Sequence, residues 1–281
     1  MHRNNDIHPR YWTEGRDFSV QYAKIGEYAE MPKPHYHPYF ELFYVLSGER
    51  VFFIRDRVLT ARPGEMVIVR PHELHRTSSA EAYAYERIIV HFTPEFLGTA
   101  AAAHEELPPV VIFTPEEREI VEATLRGMIR ESVNRKLGYV DYLRLLLSQL
   151  LHHIRRAEPA DPELRLQEAP PLHLKVSEIA AYINERYGEP LTLRNVAERF
   201  HISEGHLSRM FAKYTGFPYQ EYVRLVRVRE AQKRLRETQD RIADIALAAG
   251  FGQIAHFNKT FKTVAGVAPR EYRKRFGRAP S

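Results

Sequence analysis

The feature that most restricts the fold of this 281-residue chain is a duplication near its C-terminal end. The stretch LSRMFAKYTGFPYQEYVR (207–224) runs in register with FNKTFKTVAGVAPREYR (257–273). Leu207 matches Phe257, Phe211 matches Phe261, Gly216 matches Gly266 and Glu221-Tyr222 matches Glu271-Tyr272, always 50 residues apart. Upstream, Val196-Ala197 corresponds to Ile245-Ala246 at a spacing of 49, so the second copy gains one residue near its turn. A register held over so many positions calls for two copies of one structural unit. Each copy reads as helix, tight turn, helix. In the first, Thr192 and Ser203 are N-cap residues for helices that turn Val196, Ala197 and Phe200, then Leu207, Met210 and Phe211, inward. In the second, Ile242, Ile245, Ala246 and Ala249 precede a turn, and Phe257, Phe261 and Val264 follow it. Small Ala197 and Ala246 suit the close crossing of a helix-turn-helix. Gly250 can take the positive φ such a turn needs, and His201 stands at the same place in the first copy.

With the core positions assigned, the outward positions of the two second helices follow. They are Gly205, His206, Ser208, Arg209 and Lys213 in the first copy, and Ile254, Ala255, His256, Asn258, Lys259 and Lys262 in the second. Arg209 and Lys259 fall at equivalent places. In a helix-turn-helix the second helix enters the major groove, where Arg or Lys reaches guanine and Asn reads adenine. Two such helices joined by a fixed helix, about 219–237, can be presented roughly 34 Å apart on one face of DNA. The charge agrees. Residues 172–281 carry 20 Lys and Arg against 11 Asp and Glu, whereas the preceding 171 carry 21 against 25. A basic third on a mildly acidic body points to an anionic partner, most simply double-stranded DNA.

The front of the chain is different. FSVQYAKI, ELFYVL, RVFFI, EMVIV and YERIIVHF are short runs rich in β-branched and aromatic residues, separated by turn material, which predicts a sandwich or small barrel. From Thr114 the period changes to that of a helix, with an N-cap threonine, Pro115 at the first helical position and an acidic first turn. A second helix, about 140–155, puts Leu143, Leu146, Leu147, Leu150 and Ile154 on one stripe. That stripe needs cover, either from the barrel or from a second subunit. AEPADPELRLQEAPP (157–171) reads as a linker. The chain has no run long and apolar enough to span a membrane and no export signal at its start, which predicts a cytoplasmic location. It also has no cysteine, so a metal here would need His, Asp or Glu ligands.

The stretch HYHPYFE (35–41) supplies such residues. On an unbroken strand His35, His37, Tyr39 and Glu41 point to one side.

These motifs carry a resemblance. LTLRNVAERFHISEGHLSRMFAKYTGFPYQEYV and IADIALAAGFGQIAHFNKTFKTVAGVAPREYRK resemble the two DNA-binding units of the AraC/XylS family of bacterial transcription regulators. Ala212 stands where that pattern has lysine, and Gln253 where Asp or Ser often caps the helix. More weakly, HYHPYFELFYVLSGE and ARPGEMVIVRPHELH are similar to the family's cupin-type sensor domain. The resemblance implies a multidomain chain: an all-β cupin or jelly-roll barrel over 1–113, a helical pair over 114–156 that serves dimerisation, the 157–171 linker and an all-α double helix-turn-helix domain over 172–281. It further implies a regulator that is not an enzyme, an activator more often than a repressor, with promoter DNA, RNA polymerase and a second copy of itself as partners. His35, His37, Tyr39, Glu41 and His75 would then hold a small effector such as a sugar, with no cofactor. The alternative is a metalloprotein in which His35, His37, Glu41 and His75 hold a divalent metal.

Overall fold

The computed structural model describes residues 6–26, 37–54, 56–71, 73–79, 84–98, 107–159 and 170–277. The chain forms two compact units, Met1–Pro171 and Leu172–Ser281.

The first unit is built on two antiparallel sheets. Strands β1 (Asp6–Ile7), β3 (Phe18–Ile25), β9 (Tyr85–Phe92), β4 (Phe40–Ser47), β7 (Glu65–Val69), β10 (Val110–Ile112) and β11 (Glu158–Pro159) lie side by side in that order, with β2 (Tyr11–Trp12) paired to β3. The smaller sheet has the order β6 (Arg57–Ala61), β5 (Arg50–Ile54), β8 (His75–Ser79). Alternation along each strand divides the side chains between two cores. Phe43, Val45, Val67, Val69 and Ile89 of the large sheet meet Phe52 and Ile54 of the small one in an inner core. The opposite residues, Phe18, Val20, Leu42, Tyr44, Ile88 and Val90, form the outer face of the large sheet.

That outer face is where the helical pair goes. After a single turn, α1 (Pro94–Leu97), helix α2 (Pro115–Asn134) begins with a full capping box, Thr114 Oγ1 accepting from Glu117 N at 3.3 Å and Glu117 Oε2 accepting from Thr114 N at 2.9 Å. Helix α3 (Tyr139–Arg156) buries Leu143, Leu147, Leu150, Leu151 and Ile154 together with Val121, Leu125 and Met128 of α2 against the sheet. The apolar stripe is therefore covered by its own chain, each leucine contributing roughly 1.5–3 kcal/mol by burial. Tyr142 and Leu145 lie on the exposed side of α3. The stretch expected to be a linker contributes its first residues, Glu158 and Pro159, to the sheet edge, and Pro171 already opens a helix. Residues 160–169 lie outside the described residues.

The second unit is helical: α4 (Pro171–Glu185), α5 (Leu193–Arg199), α6 (Glu204–Thr215), α7 (Tyr219–Glu237), α8 (Ile242–Ala248), α9 (Ile254–Ala265) and α10 (Pro269–Phe276). The pairs α5–α6 and α8–α9 are the two repeats. Their turns are built alike: Ile202 N donates to Ala197 O, and Phe251 N donates to Ala246 O, both at 3.0 Å. His201 and Gly250 each take a positive φ, 54° and 82°. Helix α7 links the repeats. Its Val228, Ala231 and Leu235 pack against Ile245, Phe257 and Phe261, while its Arg227 donates to the carbonyls of Tyr187 and Glu189, both at 2.8 Å.

Gly250 sits against that arginine. A Cβ there would lie 2.6 Å from Tyr187 O and 2.9 Å from Arg227 Nε, in a backbone region that already disfavours L side chains. Gly250→Ala should therefore destabilise the second unit by about 1–3 kcal/mol, read as a lower urea midpoint with unchanged slope. An unchanged midpoint would mean that the turn accommodates the methyl by shifting.

Candidate functional site

The inner face of the first unit holds polar side chains where its other positions are apolar. Ser19 and Gln21 come from β3, Glu41 from β4, His75 from β8, and Arg87 and His91 from β9. Register explains the central contact, because Glu41 and His91 are directly paired across β4 and β9, as are Ser19 and His91 across β3 and β9. His91 Nε2 lies 2.6 Å from Glu41 Oε2, and its Nδ1 lies 3.3 Å from Ser19 Oγ. The neutral tautomer that satisfies both contacts donates from Nε2 to the carboxylate and accepts from the serine at Nδ1.

His37 joins the cluster from outside the strand. Strand β4 begins only at Phe40, so the unbroken strand expected from His35 onward is not present at 37–39. His37 reaches inward from the preceding turn, with its Nδ1 2.8 Å from Tyr39 O and its Nε2 3.5 Å from Glu41 Oε2. Tyr39 stacks on the His37 ring at 4.1 Å and lies 4.7 Å from the His91 ring. His75 stands 4.8 Å from the His37 ring, held by a 2.9 Å contact between its Nδ1 and Glu73 O. Trp12 lies alongside the His91 ring at 6.3 Å. Thus His37, Tyr39, Glu41 and His75 converge, whereas His35 lies outside the described residues.

The electrostatics follow from burial. Desolvation pushes the Glu41 carboxyl up, but hydrogen bonds from His37 and His91 outweigh it and hold the group well below its ordinary value, hence ionised. Burial lowers both His75 and His91 from the ordinary histidine value, which keeps them neutral at pH 7. Burial raises the Tyr39 phenol. The result is one carboxylate among imidazoles and hydroxyls, a set that can hold the hydroxyls of a polar molecule. It also contains a possible metal grouping. His37, Glu41 and His91 bring ligand atoms within 4.8 Å of one another, and two imidazoles with a carboxylate suit a divalent transition metal.

His91 and Ser19 were not among the residues singled out from the sequence. The signal was present in YERIIVHF, where alternation places His91 on the same side as Tyr85, Arg87 and Ile89.

In the second unit, the expected DNA-facing residues lie on the outer surfaces of α6 and α9. Gly205, His206, Arg209 and Lys213 of α6 are exposed and Ser208 is half-buried. Helix α6 is capped by Ser203, whose Oγ accepts from His206 N at 3.2 Å. Lys213 lies 5.4 Å from the Tyr214 ring, and its charge depresses His173 behind burial, so this cation sits at the side of the helix nearest α4. On α9, Ala255, His256, Asn258, Lys259 and Lys262 are all exposed. Helix α9 has no side-chain cap, Gln253 standing at that position. Asn258, Lys259 and Lys262 line an open groove of about 530 Å³ with Ile242, Ile254 and Arg270. Helix α6 thus presents polar and charged groups, Glu204 among them, while α9 adds an apolar edge at Ile254.

A β-domain with a buried polar cluster, followed by a tandem helix-turn-helix module, defines a ligand-binding transcription regulator that binds DNA. The family model described as the AraC-like ligand binding domain matches residues 23–167, and one described as a helix-turn-helix domain matches 196–275. The chain belongs to the AraC family of transcription regulators. Among its relatives, the HTH-type transcriptional activator RhaR of Yersinia pseudotuberculosis is 27% identical over 261 residues, covering 88% of this chain and 86% of that protein. The regulator YfiF of Bacillus subtilis is 26% identical over 85% of this chain and 78% of its own length. Among solved structures, the C-terminal domain of AraT from Geobacillus stearothermophilus is 29% identical over 39% of this chain and 92% of that chain, with a TM-score of 0.38. Among the described residues, no helix is long and apolar enough to cross a membrane.

Proposed function

We propose that the first unit senses a small polar molecule, of which a sugar is the simplest class, and that its binding alters how the second unit occupies promoter DNA. The observation that carries this reading is the inward convergence of His37, Glu41, His75 and His91 beside Tyr39 and Trp12. Aromatic faces next to hydrogen-bonding groups of both kinds are what a polyhydroxylated ligand requires. The cluster grips a signal and does not transform it. The regulator acts as an activator, as its relative RhaR is named, and works as a homodimer that contacts RNA polymerase. Sedimentation of the purified chain should accordingly give twice its mass.

The test is a promoter footprint recorded with and without a panel of sugars and sugar acids. A footprint that changes with one of them supports the reading, and one indifferent to all of them contradicts it. Within the DNA-binding unit, Arg209→Ala should cost about 1–3 kcal/mol at one base position, whereas Lys213→Ala should weaken all sequences alike. Competition binding with single-base operator variants separates the two. A sequence-independent loss for Arg209→Ala would reduce that residue to a phosphate contact.

The mutual approach of His37, Glu41 and His91 within 4.8 Å favours a second reading, in which a divalent cation is part of the sensor. Elemental analysis of the purified protein decides it. Stoichiometric transition metal supports the cation, and its absence after growth in metal-supplemented medium removes it.

A further inference from the structure

Arg87 is a charge on the inner face of the β-domain that the hydroxyl-binding cluster does not use. It lies on β9 between Tyr85 and Ile89, both members of the inner core. Its Nη1 is shut off from solvent without a hydrogen-bond partner, while Nη2 donates to Gln21 Oε1 at 3.2 Å. The Phe43 ring lies 5.6 Å from the guanidinium carbon, and the Tyr85 phenol is a further neighbour. The Glu41 carboxylate acts on it through space, but that carboxylate is already committed to His91 and His37. No ion pair involving Arg87 occurs among the described residues.

A half-buried guanidinium with one nitrogen shut off from water and no anion beside it is costly, and this one is not alone. Arg10, 6.0 Å from the Trp12 ring, adds positive potential at Arg87, His91 and Tyr39. Glu41 is the carboxylate that acts on Arg87, and its oxygens are already taken up by His91 and His37. A guanidinium left without an ion pair beside the cluster favours an anion. Position refines the class of anion. Gln21 and Phe43, which the guanidinium contacts, are both paired with Ile89, so the guanidinium lies one step along the inner face from the Glu41–His91 pair. An inorganic anion would use only the first of these. A molecule with a carboxylate at one end and hydroxyls along the rest uses both.

We propose that the effector is a small polyhydroxylated carboxylic acid, with its carboxylate on Arg87 and its hydroxyls on the Glu41–His91 pair. This inference rests on the sensor reading above and narrows it from polar molecules in general to sugar acids. Arg and carboxylate pair through two parallel hydrogen bonds, which explains why arginine and not lysine would be placed there.

The experiment is isothermal titration of the full-length protein with matched pairs, galacturonate against galactose and gluconate against glucitol, for wild type and for Arg87→Gln and Arg87→Lys. The expected result is that one acid binds at least tenfold more tightly than its neutral partner. Arg87→Gln should remove that difference, and Arg87→Lys should restore part of it. Thermal unfolding of each variant shows that the fold is retained. If Arg87→Gln fails to fold, the preference of the wild type for acid over neutral partner still decides. Equal or better binding of the neutral partner overturns the anion and leaves the sensor reading standing. Binding of neither class overturns both for these pairs. An acid whose affinity is unchanged in a folded Arg87→Gln variant overturns the assignment to this arginine.

Discussion

Replacing Phe261 by alanine will unfold the DNA-binding unit under conditions in which the wild-type chain is folded. Phe261 is fully buried on α9, 5.5 Å from the rings of both Phe257 and Tyr272, in the core that α7 supplies with Val228, Ala231 and Leu235. A buried phenylalanine cut back to alanine loses about 3–5 kcal/mol, from lost transfer energy and from the cavity left behind. A domain of this size has a total stability of about 5–15 kcal/mol. The loss consumes a large part of that margin, and α9 is the helix that carries Asn258 and Lys259. Urea unfolding should show the lower midpoint, and gel shifts at 37 °C should show lost DNA binding with the first unit still folded. Leu247→Ala is the control, since that leucine is exposed and its loss should change stability by less than about 0.5 kcal/mol. Comparable effects from the two variants would contradict the core assignment.

Glu41→Ala will both weaken the first unit and make the regulator insensitive to its effector. The Glu41 carboxylate accepts from His91 Nε2 at 2.6 Å with both groups buried. Removing a charged acceptor and leaving a buried donor unsatisfied costs about 2–3 kcal/mol. Glu41→Gln keeps an acceptor oxygen opposite His91 and should recover most of the stability. It should not recover the effector response, because a neutral amide polarises ligand hydroxyls far less than a carboxylate. The stability has a direction in pH as well. The folded carboxyl is held below its ordinary value, so its contribution is present above about pH 4.5 and is lost as pH falls through the folded value. Burial-depressed His75 and His91 act in the same direction from about pH 6.5 downward, because the unfolded chain takes up their protons first. Acid should therefore destabilise the first unit. A Glu41→Gln variant with an intact effector response would show that the carboxylate is structural only.

The second unit was legible because its constraint is repeated. Each core position in one copy is checked by its partner 50 residues away, and the positive φ at His201 and Gly250 follows from the same alignment. Strands such as β3, β5, β7 and β9 were legible because alternating or continuous apolar runs have clear ends. Strand β8, HRTSS, was not, since it carries few apolar residues and is held by pairing to β5 at the edge of a three-stranded sheet. Strand β6 at the other edge is not apparent for a related reason, a short run with a charged first residue, although its two ends border turn stretches. The effector cluster was half legible. HYHPYFE announced itself by composition, but Pro38 and the turn at 37–39 change which side chains the strand presents. His91 and Arg87 lie some fifty residues further on, inside what reads as a plain hydrophobic strand. Only the β4–β9 register brings them to Glu41, and pairing between distant strands is not written in local periodicity.

The central claim is that the two repeats read DNA together as one module of a ligand-binding regulator. The most direct measurement is a hydroxyl-radical footprint of the full-length chain on a site selected from random DNA. The account predicts two protected segments on one face of the duplex, centred about 10 base pairs apart, with Lys259→Ala affecting one and Arg209→Ala the other. Protection of a single groove, unaffected by changes in α9, would contradict it.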